Sequence, residues 1–250
     1  MKKTMKCASS LLVAVMMLAG CSEKAPETAA ELMARVKEKN FDNYALVLDY
    51  GFTIPDVMEL SLNMDMVTAG GNAKMDMTTS LNAAGQKADL DMVSYSEGST
   101  AYTYVPALDT WTKSEGEEMS ADFISLAQDM TDVATMSEEG NSYLLTIPLS
   151  ELIGSAVFED LLGMGGSESQ DTSAVEDALS SLFASSEMKM TYDKKTYAPQ
   201  YIDFNVSAEG VSFDMHGEFS GYGEVEEDEV AVPDEAKAAV ESTAPTGEPA

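Results

Sequence analysis

Few side chains in this 250-residue sequence could carry covalent chemistry. It has two cysteines, Cys7 and Cys21, and one histidine, His216. A thiolate is a strong nucleophile and a soft metal ligand, but both thiols fall within the first 21 residues, with no partner cysteine downstream. His216 stands between Met215 and Gly217, where strand alternation turns it outward, and no second histidine completes a nucleophile–base pair. The 44 acidic residues could by number supply a glycosidase-like carboxylate pair. Yet Asp65, Asp76, Asp89 and Asp91 alternate with apolar residues and read as the wet side of strands. No segment has the ordered spacing of a Ca²⁺ loop. No catalytic residue, cofactor site or metal site is assigned on these grounds, and the expectation is a non-enzymatic protein.

Methionine is the conspicuous residue. Four of the 18 precede residue 20, and nine of the rest (Met58, Met64, Met66, Met75, Met77, Met92, Met188, Met190 and Met215) sit at alternate positions that would point inward. Flexible, polarisable thioethers fill cores, and they also suit surfaces that accommodate variable apolar shapes. The Met-x-Met pairs at 64/66, 75/77 and 188/190 could also offer sulfur to Cu(I). Alternation on any methionine-rich strand produces such pairs, so packing is the first reading and the other two stay open.

The N-terminus reads as an address. Lys2, Lys3 and Lys6 precede the apolar run Leu11–Leu18, which is too short to span a bilayer and fits the h-region of an export signal. Leu18-Ala19-Gly20-Cys21 then matches the bacterial lipobox. That resemblance implies cleavage before Cys21 and diacylglyceryl transfer to its sulfur, with acyl chains such as palmitate anchoring the chain where one chain would hold only marginally. Residues 1–20 are the expected signal peptide and 21–26 a short lipidated tether. The expected location is the outer face of the bacterial cell membrane, or the outer membrane of a diderm cell.

Charge fits this placement. The formal net charge is −30, and removing the three signal-peptide lysines takes it to −33. Such a body is a poor nucleic-acid binder and is repelled by anionic headgroups, so attachment is left to Cys21.

The elements follow from periodicity. Thr28-Ala29-Ala30-Glu31 has the form of a capping box, and Ala29, Leu32, Met33 and Val36 share a helical face, predicting a helix over 27–39. From Asn43 the period becomes two. Runs at 58–66, 73–77, 88–92, 102–104 and 111–113, split by Gly70-Gly71-Asn72 and Asn82–Gly85, predict an antiparallel meander. Further strands are expected at 142–148, 187–194, 199–207 and 211–220, with helical stretches at 120–130, 149–162 and 171–184. The domain is expected to span 27–223, with 224–250 as an acidic, mostly disordered tail. A one-sided sheet must cover its apolar face. The predicted fold is therefore α+β: a curved antiparallel sheet forming an unclosed half-barrel, with amphipathic helices covering its concave face.

This order, with a lipobox in front, resembles the Lol-type lipoprotein-carrier superfamily, including the mycobacterial lipoglycan carriers and uncharacterised lipoproteins of Gram-positive bacteria. The local likeness lies in Lys37-Glu38-Lys39-Asn40-Phe41, Tyr102-x-Tyr104, Trp111-x-Lys113 and Val232-Pro233-Asp234-Glu235. It implies a half-barrel with a helical lid, and a cavity lined by Leu62, Met64, Met66, Met75, Met77, Leu90, Met92, Tyr102 and Tyr104. Arg35 departs from that pattern, being the lone arginine with no other basic group to meet a lipid phosphate inside. The expected function is binding of a lipid or other hydrophobic ligand by a membrane-anchored, monomeric lipoprotein. The alternative is a structural or interaction module with a filled core, whose acidic surface docks a protein partner.

Overall fold

The computed structural model describes residues 24–83, 85–115, 123–151, 186–208 and 210–238. The signal segment with Cys21, the helices expected beyond residue 151 and before 186, and residues 239–250 lie outside these.

Helix α1 (Ala29–Lys39) begins as its capping residues require: the Thr28 side chain accepts from the Glu31 amide at 3.2 Å. Glu31 reaches back one residue further than a strict capping box, accepting from the Glu27 amide at 2.7 Å. Asn40 ends the helix in the left-handed region, φ 50°. Its buried face is Ala29, Leu32, Met33 and Val36, the stripe predicted.

The strands are β1 (Tyr44–Ile54), β2 (Met58–Ala69), β3 (Asn72–Ala83), β4 (Gln86–Glu97), β5 (Thr100–Val105), β6 (Thr110–Glu115), β7 (Thr135–Glu139), β8 (Ser142–Pro148), β9 (Glu187–Asp193), β10 (Pro199–Ala208) and β11 (Val211–Ser220). Helix α2 (Phe123–Asp129) lies between β6 and β7, and the short α3 (Asp234–Lys237) follows β11. All the strands join one antiparallel sheet, in the order β6-β5-β4-β3-β2-β1-β11-β10-β9-β8-β7. The first and last strands of the long meanders, β1 and β11, pair at the centre. Strands β6 and β7 form the two edges, so the sheet does not close. The α+β half-barrel predicted from the sequence is the fold.

Register defines the two faces. Leu46 and Leu48 of β1 sit opposite Met66 and Met64 of β2, and Phe219 and Gly217 of β11 flank them on the other side. The same face continues through Ile202, Phe204 and Val206, Met190 and Met188, and Leu145 and Ile147. These side chains, with the buried faces of α1 and α2, make one core. Leu32, Leu46, Leu145, Ile147, Met190 and Ile202 have no solvent exposure at all. Burial on this scale removes apolar area from water worth about 25 cal/mol per Å². It is the main reason an otherwise acidic chain collapses around this face.

Where the C-terminal acids go differs from expectation. Residues 224–238 lie against the outer side of the sheet, with Val230 1% exposed and Val232 and Ala236 buried. The Asn43 side chain pins the start of this strap, donating to the Val225 carbonyl at 2.9 Å and accepting from its amide at 3.1 Å. Lys237 reaches Glu97 at 3.3 Å. Three buried apolar residues spaced through the acidic run, together with these polar contacts, hold it against the sheet.

Candidate functional site

Seven of the nine residues expected to line a cavity share the inner face. Met64, Met77 and Met92 lie in one cross-strand row, Met66 and Met75 in the next, and Leu62 shares a row with Leu90 through Thr79. Where this face joins the core it is sealed, and Met64 and Met66 are buried in one cluster with the apolar faces of α1 and α2. Toward the β1–β2 and β3–β4 turns it opens. Leu60, Leu62, Met77, Leu81 and Met92 are half-buried, and Leu90 is 39% exposed. No ionisable carboxylate or cation stands on the inner positions of β2, β3 and β4: the rows there hold Leu, Met, Ala, Thr, Ser and Gln.

Tyr102 and Tyr104 are placed on the opposite face. Tyr102 pairs with Tyr95, which pairs with Lys74, while Tyr104 pairs with Val93, which pairs with Asp76. This corrects the expected lining set, and the physical reason is the strap. Val232 and Ala236 of the strap pack on Tyr102, with Tyr95 and Trp111 alongside, so aromatic residues here face outward and are still covered. Tyr104 uses its hydroxyl to donate to Asp109 at 2.7 Å, which pushes its own ionisation upward.

The outer face is polar elsewhere and its acids find local partners. Asp49 accepts from Asn63 at 2.7 Å, Asp91 from Thr78 at 3.0 Å, and Asp89 from Ser80. His216 lies in the same row as Asp49 and Asp203. Its Nδ1 meets Asp203 Oδ1 at 2.6 Å and its ring stacks on Tyr201, with His216 and Asp203 both about half exposed. This is a solvated surface ladder rather than a catalytic arrangement.

A cleft of about 330 Å³ lies on this outer side, lined by Ala45, Val47, Val67, Asp65, Lys74 and Asp76, with Glu229 of the strap at its rim. Lys74 bonds Asp76 at 2.6 Å, which holds its ammonium above the usual lysine range. Strand periodicity does not point to this cleft, where Glu229 of the strap meets residues of β1, β2 and β3. Among the described residues no group of three or more His, Cys, Asp or Glu is placed to hold a metal ion, and no helix is long and apolar enough to cross a membrane. Cys21, the lipidation residue expected from the lipobox, lies outside the described residues.

A comparison of the sequence with curated proteins finds no match. Solved structures to which this chain is similar include LprF from Mycobacterium bovis, at 10% identity and a TM-score of 0.44 over 85% of this chain and 99% of that one. Another is the LolA superfamily protein NE2245 from Nitrosomonas europaea, at 9% identity and a TM-score of 0.32 over 83% and 99%. A DUF1329 family protein from Desulfovibrio piger is similar at 10% identity and a TM-score of 0.24 over 81% and 98%. Residues 37–241 match a single family across nearly the whole sheet and strap, and the chain belongs to that family of unknown function, DUF6612.

Proposed function

We propose that this protein is an exported lipoprotein, anchored through an acylated Cys21, that holds a hydrophobic ligand or acyl chain against the open part of its inner face. It acts by binding rather than by catalysis. The observation that carries the reading is the uncharged Leu/Met surface of β2–β4, which continues past the buried Met64 and Met66 and stays half-buried. Each methylene moved there from water contributes about 0.8 kcal/mol, so a chain of ten or more carbons would be held without any polar contact. Native mass spectrometry of the full-length protein after mild detergent extraction tests this. A stoichiometric lipid adduct that disappears in Leu62→Asp supports the reading, and a protein that never carries lipid in either form overturns it. Cys21→Ala tests the anchor separately, because loss of acylation should move the protein from the membrane fraction to the soluble one.

A second reading, a filled-core interaction module, is favoured by the packing beneath α1, where core side chains have no exposure. In that case the acidic outer face would carry the binding, and partner capture would depend on the strap rather than on the inner strands.

A further inference from the structure

Alternation on single strands explains each Met-x-Met pair, but not where the pairs meet. The sheet register sets Met64 opposite Met77 and Met66 opposite Met75, so two pairs distant in sequence face one another as a quartet. Met92 extends the Met64–Met77 row onto β4. Directly opposed Cβ atoms lie about 4.5–5.5 Å apart, and alternate positions along a strand about 6.6–6.8 Å. Flexible thioether arms from the corners of such a rectangle reach a common centre.

We propose that Met64, Met66, Met75 and Met77 form a thioether site for a soft monovalent cation, Cu(I). Neutral sulfur is the ligand that selects Cu(I) over hard divalent ions, and these rows supply no carboxylate to attract Ca²⁺ or Mg²⁺. A single charge also costs less to bring to an apolar face than a double one. Two corners are fixed and two are reachable: Met64 and Met66 are buried in the core, while Met75 and Met77 are half-buried. Buried ligands on a regular sheet beside half-buried ones give a preorganised site that an ion can enter from the open side. The lysine nearest in sequence, Lys74, pairs with Asp76 on the opposite face and does not oppose the cation. The site shares Met77 with the surface proposed for the hydrophobic ligand, but its test reads metal binding alone and does not require that a lipid be bound.

The test uses the full-length protein in detergent, labelled at the methionine methyl groups, in chloride-free buffer. Ag(I) serves as the redox-inert probe, followed by anaerobic Cu(I) in competition with bicinchoninate. One equivalent of Ag(I) should shift the methyl resonances of Met64, Met66, Met75 and Met77 and leave those of Met188, Met190 and Met215 in place. Affinity for Cu(I) should fall at least tenfold in the paired substitution Met75→Leu and Met77→Leu, which keeps apolar volume and loses only sulfur. Unmoved quartet resonances at stoichiometric Ag(I) would overturn the site, as would equal shifts at all methionines. Unchanged Cu(I) affinity in the leucine variant would do the same. The wild-type titration decides the matter even if that variant folds poorly.

Discussion

Two single residues show how closely this fold is specified. Gly217 lies between Leu48 of β1 and Ile202 of β10 in the central row, and a Cβ there would come within 2.5 Å of Ile202 Cγ2 and 3.1 Å of Leu48 Cδ1. Gly217→Ala should therefore cost about 1–3 kcal/mol by overpacking, read as a lower Tm. Asp193 closes the turn after β9. Its carboxyl is held below the usual aspartate range first by the Thr196 amide, with the Lys195 amide and the Thr196 hydroxyl adding to it. A depressed folded value means the contribution is complete above the unfolded value of about 3.9 and is lost as pH falls through the folded one. Asp193→Ala should destabilise by roughly 1 kcal/mol at pH 7, and the gap from wild type should shrink in thermal melts as pH falls below that unfolded value. A gap that is constant with pH would place the effect in packing instead.

At the scale of elements, what could be read in advance depended on whether one face alone was covered. Tyr143, Leu145, Ile147, Met188, Met190, Ile202, Phe204, Val206, Phe213 and Met215 stand at alternate positions, separated by polar residues except at Leu144, and all are buried. Strand β7, with Glu138 and Glu139 among five residues, carries no clear alternation and was not foreseen. Tyr102 and Tyr104 misled for a different reason: apolarity marks burial, not which face is buried, and here a second layer covers the outside. That layer, the strap, was masked by its own acids, since composition weighs every residue while packing needs only Val230, Val232 and Ala236. Trp111 is the sole tryptophan and lies half-buried beside Tyr102 in this cluster, so it reports on the strap directly. Val232→Asp should release the strap, shift the emission of Trp111 to the red and increase its quenching by iodide, with far-UV dichroism unchanged because the sheet does not depend on the strap. An unshifted spectrum would mean that Trp111 is shielded by the sheet alone.

For the whole molecule, with its net charge of −30, the charges on the described strands β2–β4 are arranged by side. The inner face has apolar and neutral side chains along β2–β4, and the acids stand outside in rows with Asn63, Thr78, Ser80, Lys74 and His216 as local partners. Local partners do not cancel the total. Asp65 and Asp76 face each other directly across β2 and β3, and Glu229 joins them at the outer cleft; like charges so placed repel. The strap brings more acids onto this surface, so its docking works against the field that its valines overcome. Salt should then favour the folded state: the Debye length falls from about 30 Å at 0.01 M to about 8 Å at 0.15 M, which screens repulsion across the face but leaves the apolar core untouched. The expected result is a Tm that rises by a few degrees over that range. The Trp111 signal should report tighter strap docking as salt rises, and Asp65→Asn should remove part of the dependence. A Tm that falls with salt would mean that ion pairs such as Lys237–Glu97 outweigh the repulsion, and that the strap is held by charge rather than by its three buried apolar side chains.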